Sequence, residues 1–136
     1  MMKWLLALLL LVVPAFAQST DPDKPTALTA TINGNSSGGL SDEKTYYYAF
    51  QVNKGTLSLT LDVTPLDKSD GGGIVQWTLL DSKFNKLKYD NLAAQGTAER
   101  RVKDMPVTIK RRMILKLTVS GNIDYKLQTG GSAVKL

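Results

Sequence analysis

TYYYAFQV (residues 45–52) and TLSLTLDVT (residues 56–64), separated by Asn53-Lys54-Gly55, decide the fold class of this chain. In the first run Tyr46, Tyr48, Phe50 and Val52 fall on one side, and Thr45, Tyr47, Ala49 and Gln51 on the other. In the second, Leu57, Leu59, Leu61 and Val63 alternate with Ser58, Thr60, Asp62 and Thr64. β-Branched and aromatic residues at period two describe strands that bury one face and wet the other. The short glycine-ended link between the runs predicts a hairpin.

Working outward, the same pattern recurs. Leu28, Ala30 and Ile32 alternate with threonines and predict a short strand, and residues 33–41, NGNSSGGLS, read as a turn cluster. Residues 65–73, PLDKSDGGG, form a loop by composition. IVQWTLL (74–80) is a third strong strand with Val75, Trp77 and Leu79 on one face. Residues 81–86 are turn-like and residues 87–89 predict a short strand. Residues 91–101 hold alanines and charges that suit one helical turn, but Gly96 argues for a loop. Residues 102–110 read as a strand around Val107 and Ile109. MILKLTV (113–119), a turn at Ser120-Gly121-Asn122, and Ile123, Tyr125 and Leu127 predict a closing hairpin. Seven to nine short strands with regular turn signals imply an all-β, antiparallel β-sandwich or jelly-roll-like single domain. Residues 27–129 form that domain, residues 18–26 a flexible leading segment with two prolines, and residues 130–136 a tail in which Val134 and Leu136 can cap the sheet.

The first seventeen residues read as an export signal. Lys3 precedes an apolar run over residues 4–13, Pro14 breaks it, and Ala15-Phe16-Ala17 offers a small-x-small cleavage pattern. The run is too short to cross a bilayer. Cleavage leaves 119 of the 136 residues and, with Lys3 gone, lowers the net charge from +5 to +4. That expectation places the protein in the periplasm or outside the cell, with no stable membrane insertion. A domain of this size buries roughly two thirds of its unfolded surface and folds without staples. Its lack of cysteine fits a bacterial exported protein better than a disulfide-dense eukaryotic one.

Composition also removes chemistries. With no histidine and no cysteine, Ser-His-Asp and Cys-His catalysis are impossible, and the commonest metal ligands and near-neutral pH switch are missing. Asp42 and Glu43 are adjacent and point apart on an extended chain, so they do not make a glycosidase pair. The chain reads as non-catalytic, and a charge of this size is no nucleic-acid signature.

Four passages, taken in order, resemble the bacterial pre-peptidase C-terminal domain family. They are GGLSDEKTYYYAFQV (38–52), KGTLSLTLDV (54–63), SDGGGIVQWTLLDSKFNKL (69–87) and RRMILKLTVSGNIDYKLQ (111–128). The resemblance implies a β-sandwich accessory module of secreted proteins. The chain departs from it at Asp67, Asp70 and Gly71-Gly72-Gly73, where the family often carries closely spaced aspartates. It departs again at Arg112-Met113, where the family places a glycine-aromatic pair.

Three candidate sites follow from residue types. Asp62, Asp67 and Asp70 surround one loop and could supply carboxylates to calcium, although aspartates also form turns through their own side chains. Tyr47 and Trp77 invite a sugar-stacking role, but Trp77 shares its face with Val75 and Leu79 and reads first as core, while Tyr47 fits either. Arg100, Arg101 and Lys103, and Lys110, Arg111 and Arg112, flank the strand around Val107, about 20 Å apart at strand rise. With Lys83, Lys86 and Lys88 they would make a basic face for an acidic polymer, or else ordinary solubilising charge on an exposed edge. The expected role is an accessory or binding module for a protein or cell-envelope polysaccharide. A purely structural module and a small inhibitor or chaperone of a secreted hydrolase are the alternatives. Apart from calcium, no cofactor is expected, and oligomeric state leaves no trace in the sequence.

Overall fold

The computed structural model describes residues 18–67 and 71–136; the expected signal peptide and Asp70 lie outside them. Eight strands are present: β1 (Thr26–Ala27), β2 (Thr31–Ser37), β3 (Lys44–Val52), β4 (Gly55–Pro65), β5 (Gly73–Leu80), β6 (Lys86–Ala94), β7 (Glu99–Val107) and β8 (Arg111–Gly130). All pairings are antiparallel except that of β1 with β3. Sheet I runs β1-β3-β8-β5-β6 and sheet II runs β2-β8-β4-β7. The all-β, antiparallel sandwich read from the alternation is the architecture observed.

β8 belongs to both sheets. Its 20 residues would extend about 66 Å if straight. Instead the strand bends at Gly121, which has φ +90°. Residues before the bend pair with β3 and β5, and residues after it pair with β2 and β4. The bend requires a residue without Cβ, since one on Gly121 would lie 2.3 Å from the Gly72 carbonyl oxygen and 2.4 Å from the Gly73 Cα. The glycine run of the preceding loop therefore has a packing purpose: it lets two backbones touch where the strand changes sheets.

Inner faces from both sheets make one core. Sheet I contributes Tyr48, Phe50, Val52, Val75, Trp77, Leu79, Met113, Leu115, Leu117 and Val119, all buried. Sheet II contributes Leu57, Leu59, Leu61, Val63, Ile123, Tyr125 and Leu127. The assignment of these faces from period-two alternation holds.

The expected pairings are corrected. β3 and β4 do not form a hairpin, because residues 53–54 carry the chain from sheet I to sheet II. The two halves of β8 do not fold back on each other either. Among the described residues, only the β5–β6 link joins neighbours within one sheet. Residues 33–37, read as turn, belong to β2 at the edge of sheet II, where Gly34 accommodates the Tyr125 ring above it. Residues 91–101 contain no helical turn: β6 runs on to Ala94 and β7 starts at Glu99. β7 ends at Val107, leaving Ile109 exposed.

The first and last of the described residues are fastened to the sheets. The Tyr47 amide donates to the Ser19 carbonyl at 2.8 Å, laying the leading segment along β3. The tail docks through buried Ala133 and a Val52–Val134 bridge. Gln18 reaches between the sheets, where its side-chain amide donates to the Tyr48 hydroxyl and, at 3.4 Å, to that of Tyr125.

Two stability predictions follow. Gly121→Ala should lower the free energy of unfolding by more than about 1 kcal/mol, read as a lower urea midpoint; an unchanged midpoint would show that the bend tolerates a side chain. Burial pushes the hydroxyls of Tyr48 and Tyr125 above the ordinary tyrosine pKa, with the Gln18 hydrogen bond acting the other way. A raised folded value means stability intact below pH about 10 and lost as pH rises towards the folded values. Each tyrosine that ionises only on unfolding costs about 1.4 kcal/mol per pH unit above 10. Urea melts between pH 9 and 11.5 should show this decline, blunted in Tyr48→Phe.

Candidate binding site

The outer face of sheet I carries a cross-strand row. Tyr47 of β3 pairs in register with Lys116 of β8, Lys116 with Thr78 of β5, and Thr78 with Tyr89 of β6. Three strand spacings separate the terminal tyrosines, about 14 Å. Tyr47 and Lys116 are half-buried, while Tyr89 is exposed with the Lys86 ammonium 4.7 Å from its ring centroid. A cleft of about 500 Å³ opens on this face, lined by Pro22, Asp23, Tyr47, Thr78, Leu80, Phe84, Lys86 and Lys116.

Phe84 comes from the turn between β5 and β6 and holds φ +65°, the left-handed region that bulky residues avoid. The turn is built around the Asp81 carboxylate. Asp81 Oδ1 accepts the amides of Lys83 at 2.9 Å and Asn85 at 2.8 Å, and Oδ2 accepts the Asn85 side-chain amide at 3.1 Å. The Phe84 amide donates to the Asp81 carbonyl at 2.9 Å. These bonds, led by that from the Asn85 amide, hold the Asp81 pKa below its ordinary value. The consequence is an aromatic ring 45% exposed in a strained backbone over the cleft.

Sheet II bears a second cleft of about 590 Å³, lined by Asn33 and Asn35 of β2, Asp62 and Thr64 of β4, Arg100 of β7, and Asp124 and Lys126 of β8, among others. Its charges answer one another. Arg100 donates to both Asp62 oxygens, at 2.5 and 3.2 Å, and lowers the Asp62 pKa while its own rises. Lys126 lies in register beside Asp62 and acts on it in the same direction. The tyrosine at this cleft, Tyr125, is buried, so no ring is offered for stacking.

The sequence candidates are distributed as follows. Tyr47 stands on the sheet I cleft. Trp77 is 2% exposed and packs in the core. Asp62 is engaged by Arg100, and Asp67 follows the end of β4. The basic residues are not brought together. Arg100 faces out from sheet II, whereas Arg101 points inward and donates to Asp90 Oδ1 and the Asn91 carbonyl, both at 3.2 Å. Lys88 donates to the Asp104 carbonyl at 3.3 Å, Lys110 sits exposed in the β7–β8 connection, and Arg111 and Arg112 pair with Val52 and Gln51 at the start of β8. Alternation along β7 splits Arg100 from Arg101, because adjacent residues in a strand face opposite ways.

Phe84 and Lys116 were missed from sequence, yet each left a mark. Phe84 is the lone aromatic in a polar turn, and Lys116 the lone charge in MILKLTV.

No family model matches the chain, and no curated protein does. Among solved structures, a CBM4 carbohydrate-binding module is similar at a TM-score of 0.49 and 4% identity, covering 66% of this chain and 61% of that one. TmCBM61, solved in complex with beta-1,4-galactotriose, gives 0.44 at 12% identity, covering 75% and 70%. The pre-peptidase C-terminal domain of a collagenase from Bacillus anthracis gives 0.43 at 22% identity, covering 79% and 98%. The family that the sequence resembles is thus present among the structural neighbours.

Replacing Phe84 by glycine tests the strained turn. The left-handed conformation costs a non-glycine residue about 1–2 kcal/mol. Phe84→Gly should therefore leave the melting temperature unchanged or raise it, and a clear drop would mean that the ring packs for stability.

Proposed function

We propose that this chain is an exported, non-catalytic carbohydrate-binding module that lays a sugar chain across the outer face of sheet I. One observation carries the reading: Tyr47 and the strained, exposed Phe84 line a single cleft together with Thr78, Lys86 and Lys116. Sugars present apolar C–H faces and a rim of hydroxyls. Rings take the faces, while a threonine hydroxyl and lysine ammoniums take the rim. Rigid strands β3, β5, β6 and β8 fix four of these side chains, and the Asp81-centred turn fixes the fifth. A site placed on rigid elements needs little ordering on binding, so modest contacts suffice for useful affinity.

Native gel electrophoresis through a panel of dissolved neutral and acidic polysaccharides checks this. At least one glycan class should retard the protein, and Tyr47→Ala and Phe84→Ala should each weaken that retardation about tenfold, the scale of a central interface residue. Retardation by no polymer, or equal retardation of both variants and the parent, would remove the glycan reading and leave a protein partner or a purely structural role.

A further inference from the structure

We infer that the ligand of the sheet I cleft is an acidic polysaccharide built of uronic acids, with Lys116 as the group that receives the sugar carboxylate. The inference rests on the reading of that cleft as a sugar platform and goes further by fixing the charge of the sugar.

Lys116 lies in the centre of sheet I, in register between Tyr47 on β3 and Thr78 on β5. It is half-buried, and both cross-strand neighbours are uncharged. Among the described residues no carboxylate comes within the 4.0 Å of an ion pair with it. Several other cations of the fold are engaged internally. Arg100 is paired with Asp62 and Arg101 with Asp90. Lys88 is held by the Asp104 carbonyl, and Lys86 lies over the Tyr89 ring. A half-buried lysine in the middle of a sheet face, with no internal anion to hold it, is open to one that a ligand supplies.

The surroundings select what supplies it. Lys86 adds a second positive charge to the same cleft, against Asp23 as its one carboxylate. The cleft is therefore cationic with aromatic walls, whereas the larger cleft on sheet II balances its charges internally. In a uronic acid the carboxylate is attached directly to a ring carbon, in the plane of the ring's edge. A pyranose stacked on Tyr47 or Phe84 places that carboxylate at the height of a side chain standing beside them, where Lys116 is. A charge-assisted hydrogen bond in this half-dry setting is stronger than one in open water. The lysine also gives binding a salt dependence that neutral stacking lacks.

The experiment compares the parent chain with Lys116→Met, Lys116→Arg and Tyr47→Ala by calorimetry and gel retardation. The probes are polygalacturonate, dextran sulfate, neutral galactan and poly-glutamate. Melting curves confirm that each variant is folded. The inference expects polygalacturonate to bind best and with an affinity that falls as salt rises. Lys116→Met and Tyr47→Ala should each weaken it about tenfold, and Lys116→Arg should largely retain it. Galactan bound as tightly as polygalacturonate, with Lys116→Met unaffected, would overturn the uronate assignment and leave the sugar platform standing. Stronger binding of dextran sulfate would replace the carboxylate by a sulfate ester, and poly-glutamate bound as well as the uronate would show that charge alone is recognised. Binding of none of the four overturns this inference; if the wider neutral panel is also silent, the platform reading falls with it.

Discussion

The structure depends on one close approach. Where β8 turns from sheet I into sheet II, its backbone meets that of the loop before β5 with no room for a methyl group. The Asn122 amide bonds to the Gly72 carbonyl at 3.0 Å, and the Gly38 amide bonds to the Gly121 carbonyl at 3.0 Å. Glycines from three distant parts of the chain thus close a junction through backbone atoms alone. Because the same strand is central in both layers, the two inner faces stand in fixed register, and Leu115 and Leu127 enter one core from a single strand.

Sandwiches of this kind leave open sides, and charge closes one of them. β6 and β7 are the outer strands of their respective sheets and follow one another in the chain. Where two apolar inner faces would otherwise meet water, Asp90 and Arg101 point inward and pair, and Lys88 spans to the β7 backbone. Inward charge at an edge costs little while it stays wet, and it discourages another chain from adding a strand there. On the opposite side the leading segment does comparable work, with Gln18 between the sheets and Ser19 bonded to β3. Three of the charges that look like a binding surface when counted along the sequence, Lys88, Arg100 and Arg101, are thus fastenings.

This explains how far the sequence could be read. Period-two alternation names strands and faces because burial sets it directly, so the core from Tyr48 to Leu127 was legible. Pairing was not. A two-residue link looks the same whether the next strand lies beside the last or opposite it. Alternating leucines fit either sheet, so β3 and β4 were read as a hairpin. Ser120-Gly121-Asn122 has turn chemistry, but its glycine serves a bend within one strand. β2 hid because an edge strand over a tyrosine ring can be built of asparagine, glycine and serine. At the site, Tyr47 was legible by parity alone, while Phe84 depended on a φ value and Lys116 on what its neighbours lacked.

The sharing of β8 between layers also has a consequence in time. Every strand except β1, β6 and β7 pairs with it, and it follows all seven others in chain order. A chain delivered from its amino end therefore has no central strand for either sheet until residues 111–130 arrive. Until then only the β1–β3, β4–β7 and β5–β6 pairings are available, and the two sheets are completed through contacts between residues far apart in sequence, a slow class of assembly. Such a chain remains threadable through a narrow passage for most of its length and closes only once the last strand is free.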